Sequence, residues 1–160
     1  MKKNKWLILV CLLIVTVVAL TGCGKKEKNE IDYSTYIGQF EGIDPWGNKM
    51  SVTFRKLKGN KLDWAYGDGY ETGAGEPIRV FSEQVSKLEN GIVSFKVEGD
   101  ASDGGYTFEY SGTLSLKDDI VTLKYESGQL TPNGAKSGIY RVDALDEGAK
   151  TVVLEKYSKS

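Results

Sequence analysis

Histidine is missing from this chain of 160 residues, and cysteine occurs only twice. Histidine is the usual general base near neutral pH and the commonest metal ligand, so its absence excludes Ser-His-Asp and Cys-His catalytic arrangements. The sequence also lacks a Walker-type or dinucleotide-binding glycine pattern. We therefore expect a protein that acts by binding, with no catalytic residues, no cofactor and no bound metal.

Both cysteines belong to the start of the chain. A basic beginning is followed there by an apolar run of about fifteen residues, from Trp6 to Leu20. A membrane-spanning helix needs roughly twenty such residues, whereas a basic start before a short apolar run is typical of an export signal. The sequence therefore predicts that residues 1–22 are a signal peptide, which would be removed.

The stretch Leu20-Thr21-Gly22-Cys23 resembles the lipobox of bacterial lipoproteins, in which a Leu and two small residues precede a Cys. The resemblance implies that a diacylglyceryl group is attached to the sulfur of Cys23 and that the chain is cut just before it. Two acyl chains hold a protein stably on a membrane, where one alone binds reversibly. We therefore expect a lipoprotein anchored to the cell membrane and facing outside the cytoplasm. Cys11 would be removed with the signal peptide, which leaves the mature chain without a disulfide.

Residues 23–34 are polar and without period, and we interpret them as a flexible, lipid-anchored tether. Lys25, Lys26 and Lys28 of this segment would lie near anionic lipid head groups. Residues 35–160 would then form a single β-domain. Without the three lysines of the signal peptide, 18 of the 21 basic residues stand against 22 acidic ones, a net charge near −4. Because phosphate binding requires clustered positive charge, nucleic acid is not expected as a partner.

Beyond the tether, apolar and polar residues alternate with a period of two, as in half-buried β-strands. Residues 106–116 show this most clearly, with aromatic and aliphatic residues on one face and Thr, Glu and Ser on the other. Short connections join antiparallel neighbours, so the sequence predicts an all-β, antiparallel up-and-down meander of about eight strands. Such a meander closes into a small lipocalin-like barrel or packs as a β-sandwich. The predicted turns are Gly59-Asn60, Asn90-Gly91, Asp118-Asp119 and Asp146-Glu147-Gly148.

The segment YIGQFEGIDPWG favours the barrel. Gly38-Gln39-Phe40 resembles the Gly-x-Trp motif near the first strand of lipocalin and avidin-like barrels, with Phe in place of Trp. The resemblance covers a few residues and implies a barrel topology. Barrels of about eight strands can hold one small ligand.

Some segments are less regular. Residues 77–89 predict either a strand that leads into the Asn90-Gly91 turn or a short helix that uses Phe81, Val85 and Leu88, and the turn favours the strand. The run YGDGYETGAGEP before them is interpreted as a loop, because its glycines would cost a regular element conformational entropy. The last two strands are predicted around Tyr140 with Val142 and around Val152 with Leu154.

Aromatic residues are the candidates for ligand binding. They could line a barrel cavity that takes a sugar or a small amphiphile. At strand spacing, the alternative is that most of these rings form the core. Trp46 and Tyr70 are the better candidates, because DPWGN and DGYET read as loops. The set is Trp46, Trp64, Tyr66 and Tyr70, together with Tyr106, Phe108 and Tyr110.

Acidic residues cluster in two predicted loops. Asp68 and Glu71 lie in one, and Asp100 and Asp103 in the other. Neither has the alternating spacing of a calcium-binding loop, and Asp beside Gly is also typical of turns. We therefore expect no metal site.

Two functions remain open for the domain. A small-ligand binder would need an enclosed apolar cavity, with its mouth near Trp46, Tyr70 and the Gly-rich loop. An interaction or envelope-structural module, which meets an envelope protein or a wall component, would need an exposed apolar patch or an unpaired strand edge. A hydrolase with two carboxylates is a third hypothesis, and sequence spacing cannot show which acids share a cleft.

Overall fold

The computed structural model describes residues 32–70 and 78–158. The predicted signal peptide, the lipidation residue Cys23, residues 23–31 of the predicted tether and the 71–77 segment lie outside the described residues. The first described element is a 3-10 helix, Tyr33–Tyr36. Asp32 caps it by accepting a hydrogen bond from the Ser34 N–H (2.9 Å), and Tyr36 is buried against the barrel core.

The described residues then form nine strands, which pair in an antiparallel order. Each strand from β1 to β7 pairs with the next, and β9 pairs with both β7 and β1. These pairings close a ring of eight strands, and the short β8 lies beside the other end of β7. The predicted up-and-down barrel is therefore confirmed. The strands are β1 Gly38–Ile43, β2 Lys49–Lys58, β3 Lys61–Tyr70, β4 Ile78–Glu89, β5 Ile92–Asp100, β6 Tyr106–Lys117, β7 Ile120–Pro132, β8 Tyr140–Arg141 and β9 Thr151–Lys156.

The predicted alternation and turns are present. In β6, Phe108, Tyr110, Leu114 and Leu116 face the core together with Gly112, and the alternating Glu, Ser and Thr residues are at least partly exposed. Two-residue hairpin turns need positive φ at both positions. This requirement is met at 90–91 (φ 52° and 79°) and at 118–119 (φ 53° and 61°).

Residues 66–70, predicted as part of a loop, instead belong to β3. Tyr66, Asp68 and Tyr70 alternate inward, with glycines between them on the outer face. A glycine in a strand costs about 0.5–1 kcal/mol, whereas burying an aromatic side chain gains about 1.5–3 kcal/mol, so burial decides the conformation. The strand preferred for residues 77–89 is confirmed over 78–89.

The end of the chain differs from the prediction. The strand expected at Tyr140 and Val142 is only two residues long, because a 3-10 helix, Val142–Ala144, follows at once. The final strand, β9, pairs with β7 and β1 rather than with β8. The segment Asp146-Glu147-Gly148 therefore does not form the predicted hairpin between the last two strands. Both strands pair with β7 instead, β8 at one end of it and β9 at the other.

The two ends of the barrel carry different connections. We call one the hairpin end, because the turns 59–60, 90–91 and 118–119 lie there. The helix 33–36 also packs at this end, where the Tyr36 hydroxyl accepts a hydrogen bond from the Asp119 N–H (3.0 Å). We call the other the Trp46 end, after the loop 44–48 that joins β1 to β2.

Candidate functional site

The aromatic residues predicted to bind a ligand lie inside the barrel. Trp64, Tyr66 and Tyr70 on β3 have no exposed surface, and Trp46 in the 44–48 loop is half-buried. The structure brings Trp46 and Tyr70 together, with ring centroids 6.3 Å apart. Trp64 packs elsewhere, against Phe95 of β5 at 6.0 Å.

Trp46 packs over a cluster of tyrosines at its end of the barrel. Aromatic rings whose centroids are 4.5–7 Å apart are in contact, and such pairs add to the energy of burial. The indole thus packs against four tyrosine rings from different parts of the barrel. Its neighbours are Tyr70 (6.3 Å), Tyr110 (5.9 Å), Tyr125 (5.9 Å) and Tyr140 (5.5 Å).

Beneath the rings, the buried carboxylate of Asp68 organises the hydroxyl groups. Its Oδ2 accepts hydrogen bonds from the hydroxyls of Tyr66 (2.9 Å) and Tyr70 (3.1 Å), and its Oδ1 accepts one from the Gly69 N–H (2.8 Å). Two further tyrosines extend this set of hydrogen bonds to β6 and β7. The Tyr66 hydroxyl lies 2.8 Å from the Tyr125 hydroxyl, and the Tyr70 hydroxyl lies 3.1 Å from the Tyr110 hydroxyl. Four tyrosines and one aspartate therefore share one hydrogen-bonded chain.

This chain accommodates a protonated Asp68. The hydroxyl of Tyr70 has a single proton, so it donates either to Asp68 or to Tyr110. When it donates to Tyr110, its oxygen can accept a hydrogen bond from a protonated Asp68. Burial and, to a smaller extent, the nearby Asp44 carboxylate raise the pKa of Asp68 to about 8, although hydrogen bonds from Tyr66 and Tyr70 oppose the shift.

Asp44 holds the Trp46 loop in place. Its Oδ1 accepts hydrogen bonds from the N–H groups of Trp46 (3.0 Å) and Asn48 (2.6 Å), and the Asn48 amide donates to both carboxylate oxygens. Burial raises the pKa of Asp44, while the hydrogen bonds from Asn48 lower it. Within residues 32–70 and 78–158, every buried side-chain nitrogen and oxygen has a hydrogen-bond partner. The interior is thus a satisfied polar network inside an aromatic core, which specifies one packing.

The acidic residues do not form a cation site in the part of the chain that the structure describes. No group of three or more Asp, Glu, Cys or His side chains is placed there to hold a metal ion. Asp68 belongs to the buried network, and Asp103 accepts a hydrogen bond from the Gly105 N–H (2.9 Å), as turn aspartates do. Among the described residues, none belongs to a helix that is long and apolar enough to cross a membrane.

The outer face of β4 is unlike the rest of the barrel. Phe81 is 61% exposed and Val85 is 70% exposed, and both point outward from the same strand. The neighbouring inward positions, Ser82, Gln84 and Ser86, are polar and half-buried. The middle of β4 therefore has its apolar side chains outside and its polar ones inside.

A fixed arginine lies beside these apolar side chains. Arg55 of β2 pairs with Asp63 of β3 (Nη2 to Oδ1, 2.7 Å) and with Glu83 of β4, which lies between Phe81 and Val85. Exposed ion pairs contribute only about 0–1 kcal/mol to stability, but two carboxylates hold this guanidinium in one position. We call the surface formed by Phe81, Glu83, Val85 and Arg55 the β4 patch.

The surface next to the β4 patch is flat. Gly67 and Ala65 of β3 are the cross-strand partners of Phe81 and Glu83. A Cβ atom at Gly67 would lie 3.9 Å from the Phe81 ring and 3.1 Å from the Ser51 hydroxyl. Small residues here leave the Phe81 ring standing above its neighbours.

The strands β4 and β5 also part in the middle. They pair at Leu88–Val93 and Glu89–Ile92, and the Ser102 N–H donates to the Arg79 carbonyl (2.8 Å) in the same register at the other end. Between these points the described residues form no β4–β5 pair. The backbone N–H and C=O groups of successive residues point to opposite sides of a strand. Since the Arg79 carbonyl faces β5, the backbone groups of Phe81, Glu83 and Val85 also face the opening between β4 and β5.

The polar inner face of β4 explains why the strands part. Packing Ser82, Gln84 and Ser86 against the apolar residues of β5 would remove their polar groups from water, which costs free energy. They bond locally instead, from Gln84 Nε2 to Ser82 Oγ (2.9 Å) and from Trp64 Nε1 to Ser86 Oγ (3.1 Å). A groove of about 490 Å³ lies where the strands separate, lined by Ser86, Lys87, Glu89, Asn90, Ile92 and Ser94.

Sequence reasoning did not identify the β4 patch or the role of Asp68. The signal for the patch is present, because the middle of β4 reverses the alternation of its two ends. Phe81 and Val85 stand out of phase with Ile78, Val80 and Leu88. The partners of Asp68 lie on β6 and β7 as well as β3, and no local pattern shows them.

No protein-family model, curated protein or solved structure matches the chain.

Proposed function

We propose that this protein is a lipid-anchored component of the bacterial cell envelope that binds a protein partner through the β4 patch. The observation that carries the proposal is the pair Phe81 and Val85, exposed on one strand beside a fixed arginine and an unpaired strand edge. Aromatic and arginine residues are enriched among the residues that dominate binding energy at protein interfaces. Burying the Phe81 ring under a partner would contribute about 1.5–3 kcal/mol.

The exposed edge adds a second means of recognition. The backbone groups of Phe81, Glu83 and Val85 face the β4–β5 opening, and unpaired backbone groups on a strand edge bind extended segments of other chains. A protein partner can use both the edge and the apolar side chains. A sugar would use the aromatic ring alone.

Small-ligand binding in the interior, by Trp46, Trp64, Tyr66 and Tyr70, stays a prediction. These rings pack against one another and against the hydroxyl network, and three of the four have no exposed surface. A ligand would have to displace them. The β4 patch needs no such rearrangement, which is why we favour it.

The lipid anchor rests on the lipobox-like stretch that ends at Cys23. We expect Cys23→Ala to abolish incorporation of labelled palmitate and to leave a longer, unprocessed precursor, because the sulfur that would carry the diacylglyceryl group is gone. Palmitate labelling of the full chain in growing cells measures this. Cys11→Ala is the matched control, since it removes a cysteine of the predicted signal peptide and should label like the parent. Normal labelling of Cys23→Ala would contradict the anchor.

The β4 patch is tested by site-specific photocrosslinking of the full chain in cells. A photoreactive residue at Phe81 should give a discrete protein adduct, identified by mass spectrometry after purification. Val85→Asp should reduce that adduct at least about fivefold, because a buried unpaired charge at an interface is costly. The measured quantity is the adduct as a fraction of the total chain.

Val153 provides the control for this experiment. It is 59% exposed on β9, on the opposite side of the eight-strand ring. A photoreactive residue there should give no comparable adduct, and Val153→Asp should leave the Phe81 adduct unchanged. Equal adducts from both positions, or no effect of Val85→Asp, would show that the β4 patch is not the binding surface.

A further inference from the structure

Three lysines lie side by side at the hairpin end of the barrel. Lys58 of β2 is directly opposite Lys61 of β3, and Lys61 is directly opposite Lys87 of β4. Like charges directly opposite one another destabilise a sheet. We call Lys58, Lys61 and Lys87 the lysine row. Its repulsion would be relieved by an anionic surface.

Nearby acids leave most of the lysine row uncompensated. Among the residues that the structure describes, Lys87 pairs with Glu89, while Lys58 and Lys61 form no ion pair. None of the other acids described at this end forms an ion pair with Lys58 or Lys61. Asp118 lies 3.9 Å from Lys117, and Asp32 caps the 33–36 helix. The free charge of the row is therefore positive in a chain that is acidic as a whole.

Exposed apolar side chains accompany the charge. Ile92 (47% exposed) and Ile120 (49% exposed) each directly follow a hairpin turn at this end. Apolar side chains beside lysines are the combination by which peripheral proteins contact a bilayer surface. An anionic soluble partner could bind the lysines equally well. It would not explain why the lysines lie at the end of the barrel where the tether joins.

The tether joins the barrel at the same end. The Tyr33 hydroxyl lies 3.3 Å from where a Cβ atom of Gly91 would be, and Tyr36 contacts the 118–119 turn. Cys23 precedes Asp32 by nine residues. The tether predicted for this segment would have a root-mean-square span of about 15–18 Å, which keeps the hairpin end near the bilayer. Head groups would attract the lysine row whenever it comes within about one Debye length, about 10 Å at 0.1 M salt.

We infer that the hairpin end faces the anionic lipid surface that holds the anchor, and that the lysine row binds its head groups. The inference rests on the proposed lipid anchor. It places the Trp46 end away from the bilayer and the β4 patch on the side of the barrel, where a partner can reach it.

The test uses the full lipidated chain, purified from cells and reconstituted into vesicles. The mature chain has no cysteine besides Cys23, so Asn60→Cys at the hairpin end or Ala135→Cys at the Trp46 end gives a single site for a fluorescent label. A quencher attached to lipid head groups should quench the label at 60 more than the label at 135 in vesicles of phosphatidylglycerol and phosphatidylcholine. In phosphatidylcholine alone, or at high salt, this preference should disappear.

The lysines are tested by two charge-matched double variants. Lys58→Gln with Lys61→Gln should lower the ratio of the two orientations by about thirtyfold at low salt. Lys49→Gln with Lys136→Gln removes two exposed lysines near the other end and should leave the ratio unchanged. Equal quenching at 60 and 135, an equal loss in both double variants, or an undiminished preference on neutral vesicles would overturn the inference.

Mass spectrometry before reconstitution separates this inference from the anchor itself. An unacylated chain would overturn the lipid anchor and with it the reason for the hairpin end to face a bilayer. An acylated chain without an orientation preference would overturn only the lysine row.

Discussion

Gly128→Ala is expected to lower the free energy of unfolding by about 2–6 kcal/mol. Gly128 of β7 has φ +137°, and a Cβ atom there would lie 2.2 Å from the Glu109 carbonyl oxygen and 2.6 Å from the Tyr110 Cα atom. Both contacts are with the backbone of β6, which a closed barrel cannot move aside without breaking the β6–β7 pairing. Backbone strain of about 1–3 kcal/mol adds to overpacking of about 1–3 kcal/mol. Since domains are stable by only about 5–15 kcal/mol, much of the stability would be lost.

Urea unfolding followed by tryptophan fluorescence measures this loss, and Gly47→Ala is the matched control. Gly47 also has a positive φ, +88°, but a Cβ atom there would meet nothing within 4 Å. Only the backbone conformation opposes that methyl group, so a loss of about 1–2 kcal/mol is expected. Equal losses in the two variants would show that strand crowding at Gly128 does not limit stability.

The ring of strands was predictable because most of its information is local. In β6 and in the first half of β7 the side chains alternate regularly, and the turns at 90–91 and 118–119 use residues that accept positive φ. Such signals fix which residues pair with the next strand. A bulge at residues 126–127 shifts the alternation in the second half of β7. The glycines that let the ring curve, Gly112 and Gly128, are visible in the sequence, but their need for close backbone contact depends on strand pairing.

The candidate site was much less predictable. The exposure of Phe81 follows from the polar residues Ser82 and Gln84 beside it, which take the inward positions of β4. A hydrophobic pattern alone assigns the apolar residue to the core. Tyr70 is the opposite case, a buried residue that the sequence pattern assigns to a loop. The glycines around it suggest the loop, but rings distant in the sequence, such as that of Tyr140, pack against it in the core. Both outcomes depend on what lies across the barrel.

The aromatic interior stabilises the barrel without a disulfide among the described residues. Its rings supply enough buried area to hold the barrel together.

The stability of the barrel is expected to fall as pH rises from about 4 to about 8, with Asp68 as the main cause. The pKa of Asp68 is about 8 in the folded protein, because burial opposes ionisation, against an ordinary value of 3.8. Between these values the folded protein keeps a proton that the unfolded chain has released, so raising the pH favours unfolding. The effect is fully present below about pH 4 and is lost above about pH 8, and it amounts to several kcal/mol. Asp44, whose pKa burial also raises, acts in the same direction.

Asp68→Asn isolates this contribution, because the amide keeps the shape of the side chain but cannot ionise. Its oxygen can accept from Tyr66 and Tyr70, but its NH2 group would face the Gly69 N–H, which costs about 1–3 kcal/mol. The variant should therefore be less stable than the parent near about pH 5 and lose less stability up to about pH 9, as urea unfolding at each pH measures. Asp100→Asn, which removes an exposed carboxylate, should keep the full drop of the parent. A drop retained in Asp68→Asn, or a parent whose stability rises over this range, would mean that a carboxylate stays ionised in the tyrosine network.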